Sequence, residues 1–192
     1  ISTAFYLLLS LPSTAMGFGL SVQISALSWI LSTKYHLKID EVGFVWLAGP
    51  LAGIIGQMLA GVISDKIWFL GGRRRPLILV GGIVAAAMLW MLPRLGLISN
   101  ALGTIDILYV ALTVALALDL AINIGFNPTR AIIADVTPKG EARTRGYTIM
   151  QTVSGFFGVS AYFIALAWGK ETLIYVGMAV MLAFNLIPVF FI

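Results

Sequence analysis

The sequence predicts an all-α integral membrane protein of six transmembrane helices. Three observations lead there: hydrophobic residues make up 60% of the chain and charged residues only 10%, the mean hydropathy is +1.01, and the apolar residues gather into six long runs separated by short polar connections. A water-facing surface needs more charge than this. A bilayer core about 30 Å thick takes about 20 apolar residues per helix, so a chain of 192 residues holds about six spans. Backbone groups in hydrocarbon must be paired within their own segment, and the runs are about twice as long as a barrel strand, so they are helices.

The first run, Phe5 to Leu31, is interrupted by Pro12, Gly17 and Gly19 and carries Gln23, Ser25 and Ser28. It is too long and too polar at its centre for a signal peptide and lacks a basic leading region, so it reads as a true span. The second run, Val42 to Ile63, carries Gln57, and the third, Leu77 to Leu97, is almost wholly apolar. The fourth, Ile107 to Ala134, holds Asp119, Asn123, Gly125, Asn127, Pro128 and Arg130. The fifth, Tyr147 to Trp168, brings Gln151, Ser154, Gly155, Gly158 and Tyr162 at helical spacing, and the sixth runs from Leu173 to Ile192. The chain starts on Ile1 and stops inside an apolar run, so it is expected to be a piece of something longer.

The second-to-third and fourth-to-fifth connections carry Lys66, Arg73, Arg74, Arg75, Lys139, Arg143 and Arg145, seven cations against four (Lys34, Lys38, Arg94, Lys170) on the other side. The positive-inside rule puts the richer side, and with it both ends of the chain, in the cytoplasm of a multi-pass cell-membrane protein. Gly and Pro interrupt the first and fourth spans alike, which suggests two inverted three-helix repeats, residues 1–98 and 104–192, with a solute path between them. Gly and Pro are also common in membrane helices for packing reasons alone.

Asp119 carries the most information. An ionised Asp at a helix centre costs about 2.5 to 3.5 kcal/mol on insertion scales, so it must face a polar interior, find a partner or carry a proton. Arg130 follows eleven positions later, which at 100° per residue returns to nearly the same face about 16 Å along the axis. Asn123 and Asn127 extend that polar stripe, which lipid cannot solvate. The structural alternative is that Arg130 snorkels to the interface while Asp119 pairs with a neighbouring helix. Gln23, Ser25, Gln57, Asn123, Asn127, Gln151 and Tyr162 are candidate solute contacts, because neutral amides, hydroxyls and rings suit a polyhydroxylated neutral solute. Small and weakly polar residues also mediate helix packing without any ligand, and Gly155 and Gly158 read that way.

The charged turn from Asp65-Lys66 to Gly72-Arg73-Arg74-Arg75-Pro76 supplies a second pattern. Asp65 and Asp135 are placed to hold Arg73 or Arg74 and so form a conformational latch between the repeats; the alternative is a plain basic anchor on lipid headgroups. His36 is the one histidine and cysteine is absent, so no metal site and no disulfide is expected. No Gly-x-Ser-x-Gly, His-Glu-x-x-His or phosphate loop occurs, so no catalytic residues and no enzyme activity are expected. Nothing suggests nucleic acid as a partner.

Three stretches resemble the major facilitator superfamily and, within it, the plant sucrose transporters and their bacterial and animal relatives. Trp46-Leu47-Ala48-Gly49-Pro50 through Ser64-Asp65-Lys66 to Gly72-Arg73-Arg74-Arg75-Pro76 is similar to that family's variant of the superfamily signature turn. Phe18-Gly19 with Gln23 and Ser25 resembles its first helix, and Asp119 to Asn123 followed by Pro128-Thr129-Arg130-Ala131 and Asp135 resembles its fourth. The match covers most of the chain to about Gly158. The resemblance implies the amino-terminal half of a twelve-helix fold whose partner is a carboxy-terminal six-helix half. It also implies proton-coupled import of sucrose or a related glucoside, with Asp119 as the proton-carrying carboxyl and Arg130 working with it, and no cofactor besides the coupling proton. Plant members place a histidine nearer the Trp-x-x-Gly-Pro stretch than His36 stands to Trp46, so that role does not transfer. Lys66 replaces a more usual arginine, and the sixth span matches nothing specific. The expected rivals are a sodium-coupled or exporting carrier of another solute and a membrane sugar sensor that does not transport.

Overall fold

The computed structural model describes residues 2–66 and 74–191, and side chains within 2–62 and 74–188. Every regular element among them is helical, and six helical units are long and apolar enough to cross a membrane. We label them α1 (Thr3–Trp29, continued by a π-turn over Ile30–Lys34), α2 (Ile39–Trp46 and Ala48–Lys66), α3 (Arg75–Met91, continued through a 3-10 turn Leu92–Arg94 into Leu95–Ala101), α4 (Ile107–Val136), α5 (Glu141–Trp168) and α6 (Lys170–Phe191).

Local chemistry fixes the helix ends. The Ser2 hydroxyl accepts the Phe5 N–H at 3.3 Å, and the Asp106 carboxylate accepts the Leu108 N–H at 2.9 Å to open α4, each satisfying one of the orphan donors of a first turn. Glu41 accepts the Lys38 N–H at 2.7 Å at the start of α2. At the far end of α4, Arg143 donates to the carbonyls of Ala134 at 2.7 Å and Thr137 at 3.0 Å. The second apolar run is not one unbroken helix. It pauses at Leu47, because Pro50 has no N–H to give the carbonyl of Trp46 one turn back. The third run likewise tightens into a 3-10 turn at Pro93 and then extends beyond Leu97 to Ala101.

The packing exchanges partners in a regular way. α1 packs on α5 and α6, while α4 packs on α2 and α3; α1 also meets α4, and α3 meets α6. Swapping 1 with 4, 2 with 5 and 3 with 6 leaves this pattern unchanged, and because three is odd each helix runs antiparallel to its counterpart. That is the geometry of two inverted three-helix repeats related by an axis in the membrane plane, and the chain has the architecture of half of a major facilitator fold. Small residues let the backbones approach: a Cβ added at Gly81 of α3 would come within 3.0 Å of the Ala121 carbonyl oxygen of α4, and Gly125 of α4 makes room for the Met16 side chain of α1, as expected where packing rather than water exclusion drives association. The core centres on Phe18, Val22 and Leu27 of α1 with Leu118 and Ile122 of α4. Phe157 joins α1, α5 and α6 by edge-to-face contact with Phe18 at 6.4 Å and Phe184 at 5.4 Å. Gly158 packs under Ser21 of α1, whereas Gly155 faces open space within the described residues, so the packing reading applies to the first and not to the second.

Coverage is uneven. α1 and α3 are mostly enclosed by the other helices, whereas α2 and α5 are the least covered of the six.

Candidate functional site

At the middle of the bundle, Gln23 of α1 and Asp119 of α4 meet. The amide Nε2 donates to Asp119 Oδ2 at 2.9 Å, with Gln23 fully buried and Asp119 only 5% exposed. The Gln23 Oε1 is buried without a hydrogen-bond partner among the described residues. Two neighbours complete the surroundings. Asn123, one turn along α4, donates to the Asp119 backbone carbonyl at 2.8 Å. From α2, Gly49 faces the same carboxyl: a Cβ built there would lie 3.8 Å from Oδ2. Deeper along α2, a Cβ at Gly56 would come within 2.9 Å of the Asn123 Cβ, so α2 and α4 are held in close contact beside the carboxyl. On the other side of Gly49, the indole N–H of Trp46 donates to the Ser28 hydroxyl at 2.8 Å and ties α2 to α1.

This arrangement is what a carboxyl in a membrane interior requires. A buried unsatisfied polar group costs roughly 1 to 3 kcal/mol, and a bond to a charged group recovers about 1.5 to 3. The Gln23 donor therefore suits an ionised Asp119. The free Oε1 is the acceptor that a protonated carboxyl would need after the amide turns over.

The other candidates fall into distinct places. Ser25 and Asn123 are half-buried, whereas Gln57 on α2, Asn127 on α4 and Gln151 and Tyr162 on α5 are exposed. Gln57, Asn127 and Gln151 have no hydrogen-bond partner among the described residues. Uncovered amides on a membrane helix must face water or protein rather than lipid. Arg130 is exposed as well, with its guanidinium over the Phe126 ring at 5.0 Å. Among the described residues no ion pair joins it to Asp119; they are separate features of one helix.

At one end of the bundle Arg74 and Asp135 form an ion pair, Nε to Oδ2 at 2.5 Å and Nη2 to Oδ1 at 3.4 Å. It joins the start of α3 to the end of α4, and so the first three-helix repeat to the second. Of the other proposed latch residues, the Asp65 side chain and Arg73 lie outside the described residues. Among the described residues no cluster of three or more metal-ligating side chains occurs. Sequence reasoning did not single out Gly49 or Trp46 as parts of the site. Their signal was the Trp-x-x-Gly-Pro stretch itself, in which Pro50 breaks the helix and turns this segment toward Asp119.

The chain is similar to several known proteins. It is 28% identical over 144 residues to the general alpha-glucoside permease of Schizosaccharomyces pombe, covering 66% of this chain and 26% of that protein. It is 33% identical over 153 residues to the sucrose transport protein SUC4 of Arabidopsis thaliana (72% of this chain, 28% of that protein). With the sucrose transport protein SUT2 of Oryza sativa it shares 36% over 161 residues (72% of this chain, 30% of that protein). The chain thus spans under a third of the length of these relatives. No solved structure matches it. The family model for the Major Facilitator Superfamily matches residues 9–192, nearly the whole chain, and with six helices in two inverted repeats around a buried carboxyl the chain belongs to that superfamily.

Proposed function

We propose that this chain is the amino-terminal half of a secondary transporter that imports a neutral disaccharide or related α-glucoside together with a proton, by alternating access. The Gln23–Asp119 pair carries the reading. It is a single carboxyl held by a neutral amide in the middle of the bundle, beside Gly49 of α2; on the two least covered helices, α2 and α5, Gln57, Gln151 and Tyr162 supply hydrogen-bonding groups and a ring for sugar hydroxyls and apolar sugar faces. The relatives named for sucrose and alpha-glucoside transport support the solute class.

In this mechanism Asp119 takes a proton while its cavity is open to the outside. Loading the proton removes the charge that would otherwise have to be carried into a dry site during closure. Opening to the inside returns the carboxyl to water and releases proton and sugar together. Arg130, on nearly the same face of the same helix about 16 Å toward the cytoplasmic end, places a cation on the inner side of the path that favours the ionised carboxyl over the protonated one. The Arg74–Asp135 pair, with Asp65 and Arg73 as further candidates, is a latch of one conformation: an ion pair that exists in one state only biases the equilibrium between states by its own strength. Both ends of the chain lie in the cytoplasm, the uncovered faces pack against a second six-helix half, and no catalytic residue, metal or cofactor takes part.

The test is uptake of labelled sucrose and maltose by the whole protein in liposomes at two external pH values, with and without a proton ionophore. Uphill accumulation that collapses with the ionophore is the expected result. Accumulation that follows a sodium gradient instead, or saturable binding with no uptake, overturns it.

A further inference from the structure

At the end of the bundle opposite the Arg74–Asp135 pair, a cavity of about 440 Å³ opens between the ends of α1 and α3 and the start of α6, lined in part by Lys34, Tyr35, Arg94, Leu97, Glu171 and Tyr175. Its shape is set by hydrogen bonds. Lys34 Nζ and the Tyr35 hydroxyl both donate to the Pro93 carbonyl, at 2.8 and 3.2 Å, and the Gly96 N–H donates back to the Tyr35 hydroxyl at 3.1 Å. Arg94 is fixed as firmly. It donates to the Trp90 carbonyl at 2.8 Å and the Tyr175 hydroxyl at 3.2 Å, with its guanidinium 4.1 Å from the Trp90 ring and 5.8 Å from that of Tyr175.

These bonds leave capacity unused. A guanidinium has five N–H donors and an ammonium three; Arg94 spends two here and Lys34 one. Glu171 lines the same cavity and has no ion-pair partner among the described residues. The site therefore offers unspent cationic donors and, across the cavity, an unspent carboxylate. The ligand that matches both is a zwitterion with an anionic oxo group at one end and a hydrogen-bonding ammonium at the other.

The surroundings say where such a zwitterion comes from. Leu97 is 68% exposed on the cavity wall, and Trp90 and Tyr175 are 44% and 43% exposed. Trp29 with Lys170 over its ring at 5.6 Å and the exposed Trp168 lie at the same end of the helices. Tryptophan, tyrosine and basic residues gathered at helix ends mark the depth of lipid headgroups, and uncovered apolar surface leading into the cavity suits acyl chains.

We propose that this cavity binds the headgroup of a phospholipid bearing a primary ammonium, of the ethanolamine type, with the phosphate on Arg94 and Lys34 and the ammonium on Glu171. The site holds α1, α3 and α6 together at one end, across the boundary between the two three-helix repeats. It is independent of the solute carried. A choline headgroup presents the same phosphate but no N–H to Glu171, so the site discriminates between two zwitterionic lipids of identical net charge.

The whole protein is purified, equilibrated with equal amounts of ethanolamine and choline phospholipids of the same acyl chains, and analysed for retained lipid by native mass spectrometry. Ethanolamine lipid is expected to be retained over choline lipid by about two- to fivefold, the range of one partly exposed charge pair. In Glu171→Gln that preference falls to about one while total phospholipid retained is unchanged, and in Arg94→Gln total retention falls too. Equal retention of both lipids by the wild type overturns the proposal, as does a preference that survives Glu171→Gln. Stronger retention of a net anionic lipid than of the ethanolamine lipid also overturns it, because the carboxylate would then have no role. Equal competition by water-soluble glycerophosphoethanolamine would overturn the lipid assignment. Glu171 is exposed, so its variant decides the matter even if Arg94→Gln does not fold.

Discussion

Two of the side-chain contacts that bridge the two three-helix repeats end on an aspartate. Gln23–Asp119 lies in the dry middle of the bundle; Arg74–Asp135 lies at one end, with side chains 31% and 52% exposed. The second pairs two full charges at 2.5 Å, yet it is the weaker constraint, because water and salt screen it and both side chains lose freedom in making it. The first pairs a carboxyl with a neutral amide, and the absence of water makes its loss expensive. Burial, rather than formal charge, therefore decides which contact is the stronger constraint. A carrier needs both: a midplane group whose protonation matters and an end contact that opens and closes at small cost.

The comparison predicts an order of effects. The largest is expected for Asp119→Asn in the whole protein: loss of uphill accumulation by tenfold or more while exchange of sugar down its gradient continues, measured as ionophore-sensitive uptake against counterflow. Accumulation equal to the wild type would remove Asp119 from proton coupling. Next comes Gln23→Leu, which leaves the buried carboxyl without its donor. Thermal unfolding should show a loss of about 1 to 3 kcal/mol, and Gln23→Asn, which keeps an amide on a shorter stem, should recover only part of it.

Two glycines on α2 sharpen the picture of the midplane. Gly56→Ala meets the Asn123 Cβ at 2.9 Å, with backbone behind it, and should destabilise by about 1 to 3 kcal/mol. Gly49→Ala meets only Asp119 Oδ2 at 3.8 Å, an ordinary contact, and should leave the melting temperature nearly unchanged while altering solute affinity, as a direct-binding titration would report. The smallest effect is expected at the exposed pair. Arg74→Gln or Asp135→Asn should each cost less than about 1 kcal/mol of stability, and a double-mutant cycle should give a coupling that shrinks further in high salt. A coupling above that range, insensitive to salt, would show that the end pair is a permanent strut and not a latch.

Much of the fold was legible along the chain because a bilayer imposes a one-dimensional rule: each span must be long, apolar and helical. The run from Ile107 to Ala134 appears as α4, Ile107–Val136, with two residues of difference at one end. The departures come from single residues whose effect is three-dimensional. Pro50 divides α2 at Leu47, and Pro93 turns α3 without ending it. Asp119 was identifiable as costly from its place in an apolar run, since that cost depends only on depth in the membrane.

Its partner was not identifiable in the same way. Gln23 is 96 positions away, and among several neutral amides on five helices nothing in the spacing selects it over Gln57 or Gln151. Helical periodicity placed Arg130 on the same face as Asp119, but periodicity fixes direction around one axis and says nothing about which neighbours cover that axis at each level. Asp119 lies under α1, whereas Arg130 is uncovered against its own Phe126. The Arg94 cluster was hidden for the same reason. Trp90 and Arg94 are one helical turn apart and readable as neighbours, but Tyr175 and Glu171 reach them only because α6 packs on α3.

By itself the sequence determined the solvent, the number of spans, their helical state and the residue most expensive to bury, because each depends on composition over a window or on one residue against its local background. Only the tertiary structure decided which amide meets that carboxyl, which ion pair joins the repeats, which polar faces stay uncovered and where a headgroup-sized cavity opens. Those depend on which helices are neighbours and at what depth they cross, and contacts between residues a hundred positions apart leave no period in the chain.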